Sequence, residues 1–323
     1  MTTPLTTTPK PPVPAPGVWA PALTFFDHTT DTLDLTSQAK YFSYLSHHLT
    51  GLVILGTNAE TFLLTRPERA ALLRCARDAV GPAYPLMAGV GGHSTAQVKE
   101  FIADAHAAGA DYALVLPCAY FGKATTPRVL RNFYDELAAT SPLPIVLYNF
   151  PGVTNGVDLE SDFIASLAQA HPGKITGVKL TCASVGKITR LAAQLPAHEF
   201  SVFGGQSDFL LAGLAVGSAG CIAAFANVAP KVCMRVHELW RQGKSAEALA
   251  LHRKAALAER VCKSGIAGTK FAAALTSARA AGIEDGVAVE ALRPRAPYEP
   301  LGEAEREAIR EVLGQVREIE EGL

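Results

Sequence analysis

Eight short apolar runs, each followed by a stretch of helical character, recur from Val18 to Ala224 and restrict the fold more than any other feature. They are Val18–Thr24, Leu52–Leu55, Pro85–Val90, Tyr112–Leu116, Pro144–Tyr148, Ile175–Lys179, Phe200–Phe203 and Gly220–Ala224. Strands buried on both faces read as continuous apolar runs, and strict alternation with helices implies a parallel sheet. Eight units predict a (β/α)8 TIM barrel of class α/β. Helix starts support the alternation: Thr65-Arg66-Pro67-Glu68 has the capping-box spacing with an early proline, Ser94 to Gln97 repeats the cap, and Thr126-Pro127 opens another helix.

The organisation expected around this core has three parts. Residues 1–16 form a Pro/Thr-rich tail with too few apolar residues to fold alone, which predicts disorder. Residues 17–242 form the barrel, and residues 243–323 form a C-terminal helical extension. Its helices are expected at Lys231–Arg241, at the barrel's end, and then at Ser245–Lys263, Thr269–Ala281 and Glu303–Glu320, with an exposed linker near Arg293–Pro297. His47 and His48 fall at a helix C-terminus, where cations are favoured, and are read as end-of-helix residues rather than ligands.

Charge does not select a polymeric partner. Twenty-nine basic residues against 30 acidic ones leave a net charge of −1, which argues against general binding to nucleic acid or an anionic membrane and favours a small ligand. The six cysteines are scattered without CxxC pairing, which suggests neither a disulfide framework nor a zinc ribbon and fits a reducing compartment. The N-terminal segment has one lysine, no arginine and no charged-then-apolar layout, so a cytoplasmic location is expected ahead of a mitochondrial one. His93 has no second histidine or carboxylate at ligand spacing, and no metal is expected.

Function in such a barrel sits where strands end and loops begin, on the C-terminal face. The sixth run delivers Lys179 there, the only charge in Ile175–Thr181. A lysine projecting into a poorly solvated pocket is a nucleophile toward ketones, whereas a surface lysine after a strand is the ordinary alternative. The second run delivers Gly56-Thr57-Asn58-Ala59-Glu60, where exposed amides and a hydroxyl suit a carboxylate, or where Thr57 and Asn58 simply cap a turn. Gly51 to Thr57 has the glycine spacing of a P-loop without its lysine, which excludes nucleotide binding on that motif. The fourth and fifth runs deliver Tyr120 and Tyr148, each able to donate and accept a proton or simply to pack at the rim. The seventh delivers Gly204-Gly205-Gln206-Ser207-Asp208, polar groups that suit ligand hydroxyls or cap the following helix.

Taken together, Gly56–Glu60, Tyr148-Asn149-Phe150-Pro151, Gly177-Val178-Lys179 and Gly220-Cys221-Ile222 through Ala226-Asn227-Val228, in this order, resemble the dihydrodipicolinate synthase and N-acetylneuraminate lyase family from about Gly17 to Ala281. The resemblance implies a lysine Schiff-base mechanism on pyruvate or a 2-oxo acid, no metal or organic cofactor, and a homotetramer built as a pair of dimers. It makes Lys179 the Schiff-base lysine and Tyr148 the proton-transfer residue. Thr57 would link Tyr148 to solvent and, with Asn58, hold the 2-oxo acid's carboxylate. Tyr120 matches a tyrosine lent to a neighbouring subunit's site, and Gly205, Ser207, Asp208 and Ile222 match positions near the ligand.

Two departures bear on substrate. Thr57-Asn58 replaces the pair of threonines usual in the synthases, and Gly152-Val153-Thr154-Asn155-Gly156 lacks their arginine, which leaves the carboxylate of aspartate semialdehyde without its partner. The phrases Tyr148–Gly156 and Phe203–Asp208 look closer to eukaryotic 4-hydroxy-2-oxoglutarate aldolases and, more so, to fungal L-threo-3-deoxy-hexulosonate aldolases of galacturonate breakdown. The expected reaction is therefore cleavage of a 3-deoxy-2-oxo sugar acid to pyruvate and L-glyceraldehyde, with 4-hydroxy-2-oxoglutarate cleavage to pyruvate and glyoxylate as the alternative and dihydrodipicolinate synthesis after it. A barrel that binds 2-oxo acids without turnover is the reading from a different class. Leu180-Thr181-Cys182 carries no charge, so specificity is expected from Gly205–Asp208 and Val153–Asn155.

Overall fold

The structure, a computed structural model, describes residues 13–323 apart from the side chain of Gln315, so the first twelve residues of the expected tail lie outside it. Eight strands form the barrel: Gly17–Pro21 (β1), Gly51–Ile54 (β2), Leu86–Gly89 (β3), Tyr112–Val115 (β4), Ile145–Asn149 (β5), Ile175–Leu180 (β6), Ser201–Gly204 (β7) and Gly220–Ile222 (β8). All are paired in parallel, and β1 bonds to both β2 and β8, so the sheet closes. Every residue in these strands is buried, which is the physical origin of their unbroken apolar character.

Helices Leu35–His48 (α1), Arg66–Val80 (α2), Thr95–Ala107 (α3), Pro127–Thr140 (α4), Ser161–Ala170 (α5), Val185–Gln194 (α6), Leu210–Ala215 (α7) and Pro230–Arg241 (α8) follow the strands in turn. Their starts are set by the caps read from sequence. Thr65 accepts from the amide of Glu68, whose carboxylate accepts from the Thr65 amide in return, while Ser94 and Thr126 cap α3 and α4. Pleat alternation sends Trp19, Val53, Met87, Leu114, Val146, Phe203 and Ile222 into the barrel interior and leaves Val18, Leu52, Leu147 and Val178 to pack against the helices. A Cβ on Gly51 would lie 2.3 Å from the Trp19 ring, so this glycine makes room for the indole that fills the barrel.

The opposite end of the barrel from the strand-to-helix loops is closed by residues 13–16, expected with the disordered tail but in fact bound. Ser201 Oγ donates to the carbonyl of Pro14 at 2.7 Å and Trp19 Nε1 to that of Ala15 at 3.1 Å.

The C-terminal helices are Ser245–Ala258 (α9), Arg260–Lys263 (α10), Ile266–Ala273 (α11, continuing in a π-helical turn over Ala274–Ala278), Asp285–Ala291 (α12) and Glu303–Gly322 (α13). Two differences from the sequence reading matter. The single helix expected over Ser245–Lys263 bends at Glu259, and α11 starts at Ile266 after Gly265, whose φ of 90° reverses the chain. The segment expected as an exposed linker is an anchor instead: Arg295 is 9% exposed, donates from Nε to Asp31 at 2.9 Å and from Nη1 to the Leu63 carbonyl at 3.1 Å, and pairs with Glu68. Its amide also bonds Glu60, whose other oxygen takes a hydrogen bond at 2.6 Å from the buried Lys270. Burial pulls the Lys270 ammonium down to about 8 although the Glu60 carboxylate opposes that shift.

Candidate active site

Lys179 reaches the interior through a local irregularity in strand pairing. The β5–β6 register begins with Ile145 beside Ile175 but continues with Val146 beside Gly177, so Thr176 is an extra residue in β6. Without that insertion Val178 would stand beside Tyr148 and Lys179 would face the helices, because a one-residue slip exchanges the two faces of a strand. With it, Tyr148 pairs with Lys179 and both side chains point inward at the end of the strands.

The two groups meet there. Lys179 Nζ donates to Tyr148 Oη at 3.2 Å and lies 4.3 Å from the centre of the phenol ring; each residue is 3% exposed. Thr57, in the single turn Thr57–Ala59 after β2, comes across the barrel mouth and places Oγ1 3.3 Å from the same Tyr148 oxygen, where either hydroxyl can donate. An amine, a phenol and an alcohol therefore form one hydrogen-bonded line that can pass a proton without creating a fixed charge.

A cavity of about 290 Å³ opens over this line. Thr57, Asn58, Tyr148, Lys179 and Gly205 all line it, so five of the residues singled out from sequence meet at one place. Gly205 is required sterically, since a Cβ there would stand 2.1 Å from Thr181 Oγ1 and 2.4 Å from Thr181 Cα. Val153 lines the cavity as well, whereas Asn155 donates to the Ala119 and Tyr120 carbonyls at 2.7 and 3.2 Å and braces the neighbouring loop.

Three of the residues expected near the ligand, Ser207, Asp208 and Ile222, lie apart from the cavity lining. Ser207 does not face the cavity: its amide and hydroxyl donate to the two carboxylate oxygens of Glu259 at 3.0 and 2.6 Å, and it is 4% exposed. Asp208 is turned to an ion pair with Lys263 at 2.8 Å. Ile222 is fully buried in the barrel's interior layer, below the cavity lining. Tyr120, expected to serve a neighbouring subunit's site, lies outside this chain's own cavity and is 68% exposed; its ring centre is 5.5 Å from that of His93, which stacks on Phe62.

The bend after α9 supplies residues that periodicity does not reveal. Glu259, Cys262, Lys263, Gly265, Ile266 and Thr269 form the wall of the cavity opposite the strands. Burial pushes the Glu259 carboxyl up to about 7 against the lowering effect of its Ser207 hydrogen bonds, and it pushes the Cys262 thiol up to about 12. In sequence Glu259 and Lys263 look like ordinary charges on a solvated helix face. The available signal was Ser264-Gly265, a break that ends the helix just beyond them.

Comparison with known proteins agrees with this architecture. Residues 15–316 match the dihydrodipicolinate synthetase family. A Coccidioides immitis (strain RS) protein provisionally named mitochondrial 4-hydroxy-2-oxoglutarate aldolase is 65% identical over 314 residues, covering 97% of this chain and 99% of that one. The L-threo-3-deoxy-hexylosonate aldolase of Aspergillus niger is 35% identical over 95% of this chain and 97% of its own. A crystal structure of a provisionally named dihydrodipicolinate synthase family protein from Coccidioides immitis superposes with a TM-score of 0.91 at 61% identity, covering 97% of this chain and 99% of that chain.

Proposed function

The chain belongs to the dihydrodipicolinate synthetase family and is an aldolase of it, and we propose that it is a lysine Schiff-base enzyme cleaving 4-hydroxy-2-oxoglutarate to pyruvate and glyoxylate. The observation that carries the Schiff-base reading is the line from Lys179 Nζ through Tyr148 Oη to Thr57 Oγ1. Lys179 attacks C2 of the substrate, water leaves, and the resulting iminium withdraws electrons from C3. Tyr148, relayed through Thr57, takes the proton of the C4 hydroxyl as the C3–C4 bond breaks and the aldehyde departs. The enamine left on Lys179 is protonated at C3, and water adds to C2 to release pyruvate and restore the amine. Thr57 and Asn58 hold the C1 carboxylate. A protein that only bound 2-oxo acids would have no use for a buried amine beside a phenol. The chemistry uses no metal or organic cofactor.

The choice of substrate reverses the order expected from sequence. A sugar-acid tail needs hydroxyl partners, and Ser207 and Asp208, the residues expected to supply them, are engaged by Glu259 and Lys263. The relative sharing 65% of its residues bears the dicarboxylate name. Cleavage of L-threo-3-deoxy-hexulosonate, and with it a role in galacturonate breakdown, is the second reading, supported by the Aspergillus niger relative. Dihydrodipicolinate synthesis ranks third, because no arginine lines the cavity among the described residues.

The name of the Coccidioides immitis relative carries a mitochondrial assignment, which we adopt in place of the cytoplasmic expectation. Among the described residues no helix is long and apolar enough to cross a membrane. The pair-of-dimers tetramer implied by the family resemblance is part of the proposal, with exposed Tyr120 and Phe121 positioned to be covered by a neighbouring subunit.

The test is borohydride reduction in the presence of pyruvate, followed by peptide mass analysis. Pyruvate's reduced adduct on Lys179, absent in Lys179→Ala, is the expected result; no adduct on the intact protein would refute the Schiff-base reading. Synthesis from pyruvate with glyoxylate, L-glyceraldehyde or aspartate semialdehyde then ranks the three substrates. Preference for either of the last two would overturn the assignment.

A further inference from the structure

The cavity wall contributed by the C-terminal extension holds a cation that the Schiff-base mechanism does not use. Lys263, on the four-residue helix α10, lines the same cavity as Lys179 and Thr57, and these two lysines are its only cationic lining residues among those described. Its ammonium is fixed by two partners on the loop after β7: Asp208 Oδ2 at 2.8 Å and the side-chain oxygen of Gln206. An ammonium has three donors, so two are spent on orientation and one is left for a ligand. A long lysine already held in one geometry loses little further freedom when a ligand arrives.

The arrangement around Lys263 also keeps its charge useful. Glu259 is the one carboxylic acid lining the cavity among the described residues, and both its oxygens are occupied by Ser207. Asp208, the direct counter-ion, sits outside the lining and leaves Lys263 44% exposed on its side chain. The substrate proposed above carries two carboxylates. With C1 at Thr57 and Asn58 and C2 bonded to Lys179, the remaining end of the molecule must extend to another wall, and the β7 loop stands directly beside β6.

We propose that Lys263 is the specificity-determining residue of the site, receiving the distal carboxylate of a dicarboxylic 2-oxo acid and so selecting it over acids with a neutral tail. The inference rests on the dicarboxylate reading of the reaction. It makes the extension, rather than the barrel loops, the source of substrate choice. It also explains how the site accepts a second carboxylate although Gly152–Gly156 offers no arginine.

Steady-state cleavage of 4-hydroxy-2-oxoglutarate by the full chain is compared for the wild type, Lys263→Met, Lys263→Gln and Lys263→Arg, alongside borohydride trapping of pyruvate and of 2-oxobutanoate, neither of which has a distal carboxylate. A charge-assisted hydrogen bond of ordinary strength predicts that the Met and Gln variants raise KM about 10- to 100-fold, with kcat within a few-fold. Arg should recover most of the loss, and both monocarboxylates should trap as in the wild type. An unchanged KM in the Met and Gln variants overturns the inference and leaves the dicarboxylate reading standing. Equal loss of dicarboxylate cleavage and monocarboxylate trapping also overturns it, because Lys263 would then act only on the structure of the site. A wild type that traps pyruvate yet does not cleave 4-hydroxy-2-oxoglutarate refutes the dicarboxylate reading itself.

Discussion

Replacing Glu259 by Gln tests whether the buried carboxyl that binds the β7 loop is a source of pH-dependent stability. Its oxygens accept from the Ser207 amide at 3.0 Å and hydroxyl at 2.6 Å, and the residue is 1% exposed, so solvent screening is slight. Burial raises the carboxyl from an ordinary value of 4.5 to about 7, against the opposing effect of Ser207 and with Asp208 adding to the rise. Between those values the folded protein keeps a proton that the unfolded chain has released, so stability falls as pH rises through this window and levels off above it. At about 1.4 kcal/mol per tenfold change in proton affinity, the group costs roughly 3 kcal/mol in going from pH 4.5 to 8. Gln cannot ionise, yet its amide oxygen still accepts from the Ser207 amide and its NH2 can donate to the Ser207 hydroxyl. Urea unfolding of both proteins at pH 5 and pH 8 should show the variant gaining on the wild type by about 2–3 kcal/mol between the two. The Cys262 thiol, raised to about 12, does not titrate in this range. Stability profiles that run parallel from pH 5 to 8 would refute the argument, since the carboxyl would then titrate alike in the folded and unfolded chain.

Two further substitutions probe the groups that hold the chemistry. Tyr148→Phe removes the oxygen that joins Lys179 at 3.2 Å and Thr57 at 3.3 Å, and kcat should fall about 10²- to 10⁴-fold with little change in KM; a kcat within fivefold of wild type would remove Tyr148 from the proton path. Lys270→Met leaves the Glu60 carboxylate, 2% exposed on its side chain, without its cation and should cost about 3–5 kcal/mol, or about 4–7 °C in Tm. Glu60→Gln combined with Lys270→Met should recover much of that loss in a calorimetric comparison, and strictly additive losses would show that the pair is not coupled.

The barrel was legible in the sequence because its strands are buried on both faces and cannot hide among amphipathic patterns. Lys179, Tyr148 and Thr57 were marked by their places where runs meet loops, but spacing left each with an ordinary reading and only the family resemblance gave them roles. The β6 insertion at Thr176 was not legible, although it decides that Lys179 rather than Val178 faces inward. Ser207 and Asp208 show a different limit. They were read as suited to ligand hydroxyls or to capping the next helix, whereas their partners here are Glu259 and Lys263, more than fifty residues away, and the turn at Gly265 that delivers them follows from packing rather than periodicity. Arg295 fails for the same reason. Pro294 and Pro297 mark a break in helix, and nothing local states that Asp31, Glu60 and Glu68 converge on it.

Placing these partners changes what the two parts of the chain do. The strands supply an amine and a phenol and the turn after β2 an alcohol, a set that in the proposed mechanism would serve any 2-oxo acid, because each would act on atoms common to all such substrates. The extension touches the loop after β7 through Glu259 and Lys263 and the loop after β2 through Lys270, and those two loops flank the reacting line. One charged contact worth about 1.5–3 kcal/mol changes affinity about 10- to 150-fold, enough to separate a dicarboxylate from a neutral sugar acid without any change in the chemistry. On that proposal substrate range alters through α10 while Lys179, Tyr148 and Thr57 stay fixed, since residues on both sides of Arg241 line one cavity.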